Sequence, residues 1–340
     1  MRVINNTLIL GMLIMTLKIY GQNNGIDTIL KLNLGNILQT VLVRGESIEK
    51  PLLLFVHGGP GYSEFRFFRS YNKELENNFI TVNWDERGTG LSYCDSIPIS
   101  SMTVDQFIED AHQLIQQLKT LYHKKKVFLI GHSWGSVIGL NIAQKFPEDL
   151  YAYVGVGQVI DGSENEIISL QYTIDQAKKR ADTIALKELN EVRKVYPSMG
   201  ASQLQALYLQ RHWLEKFGGV FHGHYTYDSL NNGVDKKENA LTDTVKLEKG
   251  EIFSMNNLWP QFIRVNFFKT IKELKVPIYF FEGVDDYNTP TELVKRFVQI
   301  VKAPSKKIIW FYHSAHFPPF EEPQKFNTEI LSIALLEKML

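Results

Sequence analysis

The sequence predicts an α/β protein: a mostly parallel eight-stranded sheet with helices on both faces and an inserted helical cap. From Ile29 onward, short β-rich apolar runs alternate with stretches of helical periodicity, the pattern of a sheet built from crossover helices. The middle runs are continuously apolar rather than alternating, as strands covered on both faces are. The rhythm then breaks between Gln158 and Lys269, about 110 residues, far too many for a loop.

The elements follow in order. Residues 29–34 and 38–43 form an opening hairpin joined at Gly35-Asn36. Residues 52–56, 80–84 and 127–130 are strands of the buried type, and 151–156, 276–281 and 307–312 complete the eight. Thr103-Val104-Asp105-Gln106 has the form of a capping box. After it Val104, Phe107, Ile108, Ala111, Leu114, Ile115, Leu118 and Leu121 recur at helical spacing, one apolar stripe facing the sheet. A second helix should begin directly after Ser133 and stop before Pro147. Within the insertion, residues 166–195 and 202–217 read as helices and Asn231-Asn232-Gly233 as a polar turn. The division is a core of 28–157 and 270–340 with a helical cap of 158–269.

Composition narrows the function. With 340 residues, 44% apolar and 22% charged, the chain can bury a sizeable core. Lys+Arg and Asp+Glu balance at 37 each, so no overall field draws nucleic acid or an anionic membrane. The single cysteine, Cys94, excludes a disulfide framework and a Cys-based zinc site within one chain. At the N-terminus, Arg2, an apolar run over 8–17 and Tyr20-Gly21-Gln22 have the layout of a signal peptide over 1–21. The run is too short to span a bilayer comfortably. An exported protein, periplasmic or extracellular, follows, with no stable membrane association once the leader is removed.

The strongest chemical signal is Gly131-His132-Ser133-Trp134-Gly135. A G-x-S-x-G alone arises by chance in roughly one chain in ten of this length, given ordinary glycine and serine usage. Here it ends an apolar strand and opens a helix, the context of a nucleophile elbow, in which the sharp turn projects the serine hydroxyl above the sheet. His57-Gly58-Gly59-Pro60-Gly61 follows another strand, where glycines let backbone N–H groups approach a developing oxyanion. The expected oxyanion hole is the N–H of Gly59, with Gly58 second, together with that of Trp134.

A serine needs a base, and there are nine histidines. His57 and His132 flank the catalytic turns and support them. His112 and His123 fall on or after a polar helix face and read as solvated. His222-Gly223-His224 lacks a carboxylate partner for a metal. His313 and His316 follow the last strand; His316, in a loop before Pro318-Pro319, is better placed, while His313 reads as buried at the strand end. The orienting acid belongs after an earlier strand: Asp286, with Asp285 as near rival and Asp161 third. The chain order is then Ser133, Asp286, His316.

These pieces resemble the α/β-hydrolase superfamily and, within it, the prolyl aminopeptidase (proline iminopeptidase)-like branch. The resemblance rests on His57-Gly58-Gly59-Pro60-Gly61, on Asp85-Glu86-Arg87-Gly88-Thr89-Gly90-Leu91-Ser92, and on Trp134 after the serine. It extends to the Gly283, Asp286, Pro290 spacing and to Ala315-His316 with Glu321 and Pro323. The family's second motif usually has Gln at the position of Glu86, and glycine usually stands where this chain has Ser314. The resemblance covers 50–160 and 270–330 and hardly reaches the cap, which in this family selects the substrate. It implies acyl transfer to water without metal or organic cofactor. It also implies cap carboxylates that hold the free amine of a short peptide; Glu164, Glu166 and Glu215 are the ones available. Asp85 and Arg87 are expected to brace the oxyanion loop. A serine at 133, not a carboxylate, disfavours epoxide hydrolase or dehalogenase chemistry. The same scaffold also suits a carboxylesterase, lactonase or amidase, or a binding protein without catalysis.

Overall fold

In a computed structural model, which describes residues 25–197 and 203–337, eight strands form one sheet in the order β1-β2-β4-β3-β5-β6-β7-β8. They are β1 (Ile26–Leu34), β2 (Ile37–Gly45), β3 (Leu52–Val56), β4 (Ile80–Asp85), β5 (Val127–His132), β6 (Leu150–Val156), β7 (Ile278–Gly283) and β8 (Lys306–Phe311). β2 pairs antiparallel with β1 and β4, and every other pairing is parallel. The expected leader at 1–21 lies outside the described residues. Gly35 and Asn36 join β1 to β2 with φ of 53° and 64°, the two positive values that a type I′ hairpin requires.

The helices are α1 (Phe65–Tyr71), α2 (Val104–Leu121), α3 (Trp134–Lys145), α4 (Gly162–Lys179), α5 (Thr183–Val195), α6 (Gln203–Lys216), α7 (Tyr227–Asn232), α8 (Lys236–Asn239), α9 (Thr244–Phe262), α10 (Phe267–Thr270), α11 (Thr291–Ile300), α12 (Pro318–Glu321) and α13 (Pro323–Leu336). Strand side chains alternate in direction, so β3 and β5 serve two cores at once. Leu52, Leu54, Val127 and Leu129 pack with α2 and α3 on one face. Leu53, Phe55, Phe128 and Ile130 pack with Phe67 and Phe68 of α1 and Phe326 of α13 on the other. This double covering is why β3 and β5 carry no polar alternation over Leu52–Val56 and 127–130.

Several local expectations are corrected. Thr103 Oγ1 accepts from Gln106 N at 3.2 Å, but the Gln106 side chain donates to Asp110 rather than returning to Thr103. The capping box is therefore only half formed, and the apolar stripe ends at Leu118, because Leu121 is exposed. Residues 166–195 are two helices, not one: Ala181 turns into positive φ and Asp182 caps α5 through Ala185 N. Asn231 and Asn232 close α7 rather than forming a free turn. The longest helix among the described residues, α9, has no counterpart among the expected ones, since Gly250 and Pro260 interrupt its pattern. Gly250 has a purpose there: a Cβ would sit 2.6 Å from Gly88 O, so its absence lets α9 lie directly on the loop after β4.

Candidate active site

Ser133 occupies the single residue between β5 and α3, with φ 52° and ψ −117°. Both neighbouring glycines are dictated by contact. A Cβ on Gly131 would meet Gly135 O at 2.5 Å, and one on Gly135 would meet Val56 O at 2.3 Å. The end of β6 supports the turn, because Ser133 N donates to Val156 O at 2.9 Å. Ser133 opens onto a cavity of about 500 Å³ that is also lined by His316, Thr289, Gly58 and Gly59.

His316 sits between β8 and α12, buried, with Nδ1 2.9 Å from Asp286 Oδ2. Asp286 is held in turn by Asn288 N (2.9 Å) and Thr289 N (2.8 Å) on Oδ1 and by Thr289 Oγ1 (2.7 Å) on Oδ2. An acceptor-only carboxylate facing Nδ1 places the neutral ring's proton there, leaving Nε2 as the basic nitrogen. Gly157 was invisible to sequence reading but is part of this arrangement. It has φ 52°, and its Cβ would come within 3.0 Å of the His316 ring. The rival acids lie elsewhere. Asp285 is half exposed and pairs with His222 at 2.6 Å, and Asp161 caps α4 through Glu164 N.

The other histidines sort as follows. His313 is exposed, not buried, since the strand ends at Phe311. His112 is not simply solvated: it stacks on Phe146 at 3.6 Å and pairs with Asp149 at 3.2 Å. His222 is taken by Asp285, and among the described residues no group of three or more His, Cys, Asp or Glu could hold a metal. His57 Nε2 accepts from Glu86 N at 3.3 Å beneath the oxyanion loop.

Gly58 N donates to Glu64 Oε2 at 2.9 Å, which commits it. Gly59, with φ 121°, has no hydrogen-bond partner for its N–H among the described residues. Trp134 is the first residue of α3, where backbone N–H groups have no intrahelical acceptor. Asp85 braces this loop through Ser63 at 2.5 Å and Leu91 N at 2.8 Å. Arg87 does not. It pairs with Asp110 at 2.8 Å and donates to Gly35 O at 2.9 Å, tying the β1–β2 turn to α2.

Glu86 accepts from Trp134 Nε1 at 2.8 Å, while its Oε1 has no hydrogen-bond partner among the described residues. Burial pushes its carboxyl from the ordinary 4.5 up to about 7. The folded state thus holds this proton more tightly than the unfolded chain does, so the contribution of Glu86 to stability is fullest below pH 4.5 and is lost as pH rises through 7. Glu86→Gln removes that loss. Its stability advantage should grow from pH 4.5 to pH 8 by about 3 kcal/mol in chemical denaturation. A difference that stays constant across this range would refute the assignment.

Four carboxylates line the cavity, and they differ. Glu64 is engaged by His132 and Gly58. Glu166 is fully buried and bound through both oxygens to Arg211 at 2.8 and 2.7 Å, with Tyr196 donating as well. Glu215 on α6 and Glu251 on α9 have no ion-pair partner among the described residues, and burial raises both carboxyls. Glu164 lies outside the cavity, paired with Arg296 at 2.5 Å. Of the three carboxylates available from sequence, only Glu215 is both in the cavity and unpaired. Glu251 was missed because its helix was missed.

A family model described as "Serine aminopeptidase, S33" matches residues 48–208. The chain is 35% identical over 300 residues to a probable aminopeptidase, YbaC, of Bacillus subtilis, covering 87% of this chain and 92% of the relative. It is 28% identical over 155 residues to a proline iminopeptidase of Thermoplasma volcanium, 46% of this chain and 48% of that one. Among solved structures, a proline iminopeptidase of Mycobacterium smegmatis superposes with TM-score 0.65 over 91% of this chain and 98% of that one. At 16% identity that likeness speaks to the fold alone. The chain therefore belongs to the serine aminopeptidase family of α/β hydrolases, in its proline iminopeptidase-like branch, and is a serine hydrolase.

Proposed function

We propose that this enzyme is an aminopeptidase of the proline iminopeptidase type, releasing an N-terminal residue from short peptides. The observation that carries the reading is the pair Glu215 and Glu251. They reach one cavity from two separate helices, and both are without a counter-cation among the described residues. Both are half-buried, so each is partly stripped of water with no cation among the described residues to offset it, and a substrate ammonium supplies the missing charge.

In this reading Ser133 Oγ attacks the carbonyl carbon of the first residue while His316 Nε2 takes its proton. Asp286 holds the ring with Nδ1–H and stabilises the imidazolium that forms. The N–H groups of Gly59 and Trp134 receive the developing oxyanion. His316 then protonates the leaving nitrogen, the C–N bond breaks, and an acyl-Ser133 remains. Water, deprotonated by His316, adds to the acyl carbon, and Ser133 leaves with the proton.

Turnover of proline p-nitroanilide against that of a p-nitrophenyl acyl ester tests the reading. Glu215→Gln and Glu251→Gln should each lower kcat/KM for the anilide by at least about tenfold, the worth of one charge-assisted contact, while ester turnover stays within about threefold. Ester cleavage with no turnover of any amine-bearing substrate would end the peptidase reading in favour of an esterase, lactonase or amidase.

A further inference from the structure

Directly beneath Ser133 lies a second carboxylate–histidine pair that the reaction scheme does not use. Glu64, at the start of α1, is held by its own carbonyl, which accepts from Phe67 N and Phe68 N at 3.0 Å each. Its side chain is 1% exposed, and both of its oxygens lie 2.9 Å from His132 Nδ1. The opposite ring nitrogen, His132 Nε2, is 2.9 Å from the backbone carbonyl of His316. Glu64 Oε2 also accepts the N–H of Gly58, the residue before the expected oxyanion donor.

We propose that Glu64 and His132 form a buried carboxylate–imidazolium pair that positions the oxyanion loop and His316 on either side of Ser133. Both ring nitrogens of His132 face oxygens, one set on a carboxylate and the other on a carbonyl that can only accept. Donation to both requires a proton on each nitrogen. A carboxylate that already accepts Gly58 N–H is stabilised in its charged form, as the lowered Glu64 and raised His132 values agree. The pair reaches three catalytic segments at once. Glu64 fixes Gly58 and hence the approach of Gly59, His132 is the residue before Ser133, and its far nitrogen grips the histidine loop. The two imidazoles lie 5.0 Å apart between centroids, so any slackening is transmitted directly to His316. Gly58 is confined by the same pair, since a Cβ there would meet His132 Nδ1 and Ser133 Cβ at 3.3 Å. Neither Glu64 nor His132 is asked to touch the reacting atoms; they act through Gly58 and His316.

The inference rests on Ser133 being the nucleophile, and the test separates the two. Wild-type protein should take a fluorophosphonate label at Ser133; failure to do so overturns the nucleophile assignment itself. Glu64→Gln and His132→Leu should slow that labelling, and kcat for a p-nitrophenyl ester, by at least about tenfold with KM within about twofold. His132→Gln, which keeps an N–H aimed at the His316 carbonyl, should recover part of the loss. Unchanged labelling in folded Glu64→Gln and His132→Leu, or a rise in KM at constant kcat, overturns the positioning role. Should His132→Leu fail to fold, two measurements decide: labelling of Glu64→Gln, and the ring-nitrogen spectrum of wild-type protein. At pH 7 the spectrum must show His132 protonated on both nitrogens; a single protonated nitrogen refutes the pair.

Discussion

Replacing Ser133 with alanine is expected to lower kcat by about 10⁶-fold, the scale on which a serine nucleophile acts together with its base. Fluorophosphonate labelling should vanish with it. The same change should leave stability at or slightly above that of the wild type. Ser133 Oγ makes no hydrogen bond among the described residues, so its loss strands no partner. The strained backbone at φ 52° is common to both side chains, because the contacts that force it belong to Gly131, Gly135 and the end of β6. Strain of this kind costs about 1–3 kcal/mol and persists only where the surroundings over-determine it. Differential scanning calorimetry beside single-turnover kinetics checks both halves. A variant that loses activity together with several degrees of Tm would mean that the hydroxyl is structural. A fully active one would remove Ser133 from the chemistry.

The two halves of the molecule differ in how far they could be read. The sheet was legible because its central strands are buried on both faces, which forces unbroken apolar runs such as Leu52–Val56. The elbow was legible because a strand and a helix cannot meet at one residue unless both flanking positions lack side chains. Asp286 is preferred over Asp285 on its place after the strand, with family spacing in support. The backbone donors from Asn288 and Thr289 that hold Asp286 in place are announced by no periodicity. The helices between β6 and β7 were harder, because they pack on the rest of the molecule through interrupted faces. Gly250 and Pro260 fall where α9 meets the loop after β4 and where it ends, so the apolar repeat that reveals a helix is broken at its points of contact. Glu251 was lost with that helix. Glu164 and Glu166 were overvalued for the converse reason: sequence shows a carboxylate but not the Arg296 or Arg211 that already satisfies it. Glu64 offered no signal at all, since its partner lies 68 residues away.

Asp286→Asn should lower kcat by about 10⁴-fold with little change in the fold, whereas Asp285→Asn should stay within a few-fold of wild type. The contrast follows from which atoms donate. Oδ1 of Asp286 accepts two backbone N–H groups, from Asn288 and Thr289. An asparagine there must keep its carbonyl oxygen on that side, because the reverse orientation would set its NH₂ against two donors. Its NH₂ is then forced onto the side where Oδ2 faced Thr289 Oγ1 and His316 Nδ1, 2.9 Å away. An amide in that place donates to Nδ1, so the ring proton moves to Nε2. His316 then presents an N–H to Ser133 where it needs a lone pair, and the base is lost although every residue stays in place. Asp285 has no such constraint. Its side chain is half exposed, its partner is His222, and an amide oxygen can still accept from that ring. Near-wild-type activity in Asp286→Asn with a dead Asp285→Asn would reverse the assignment.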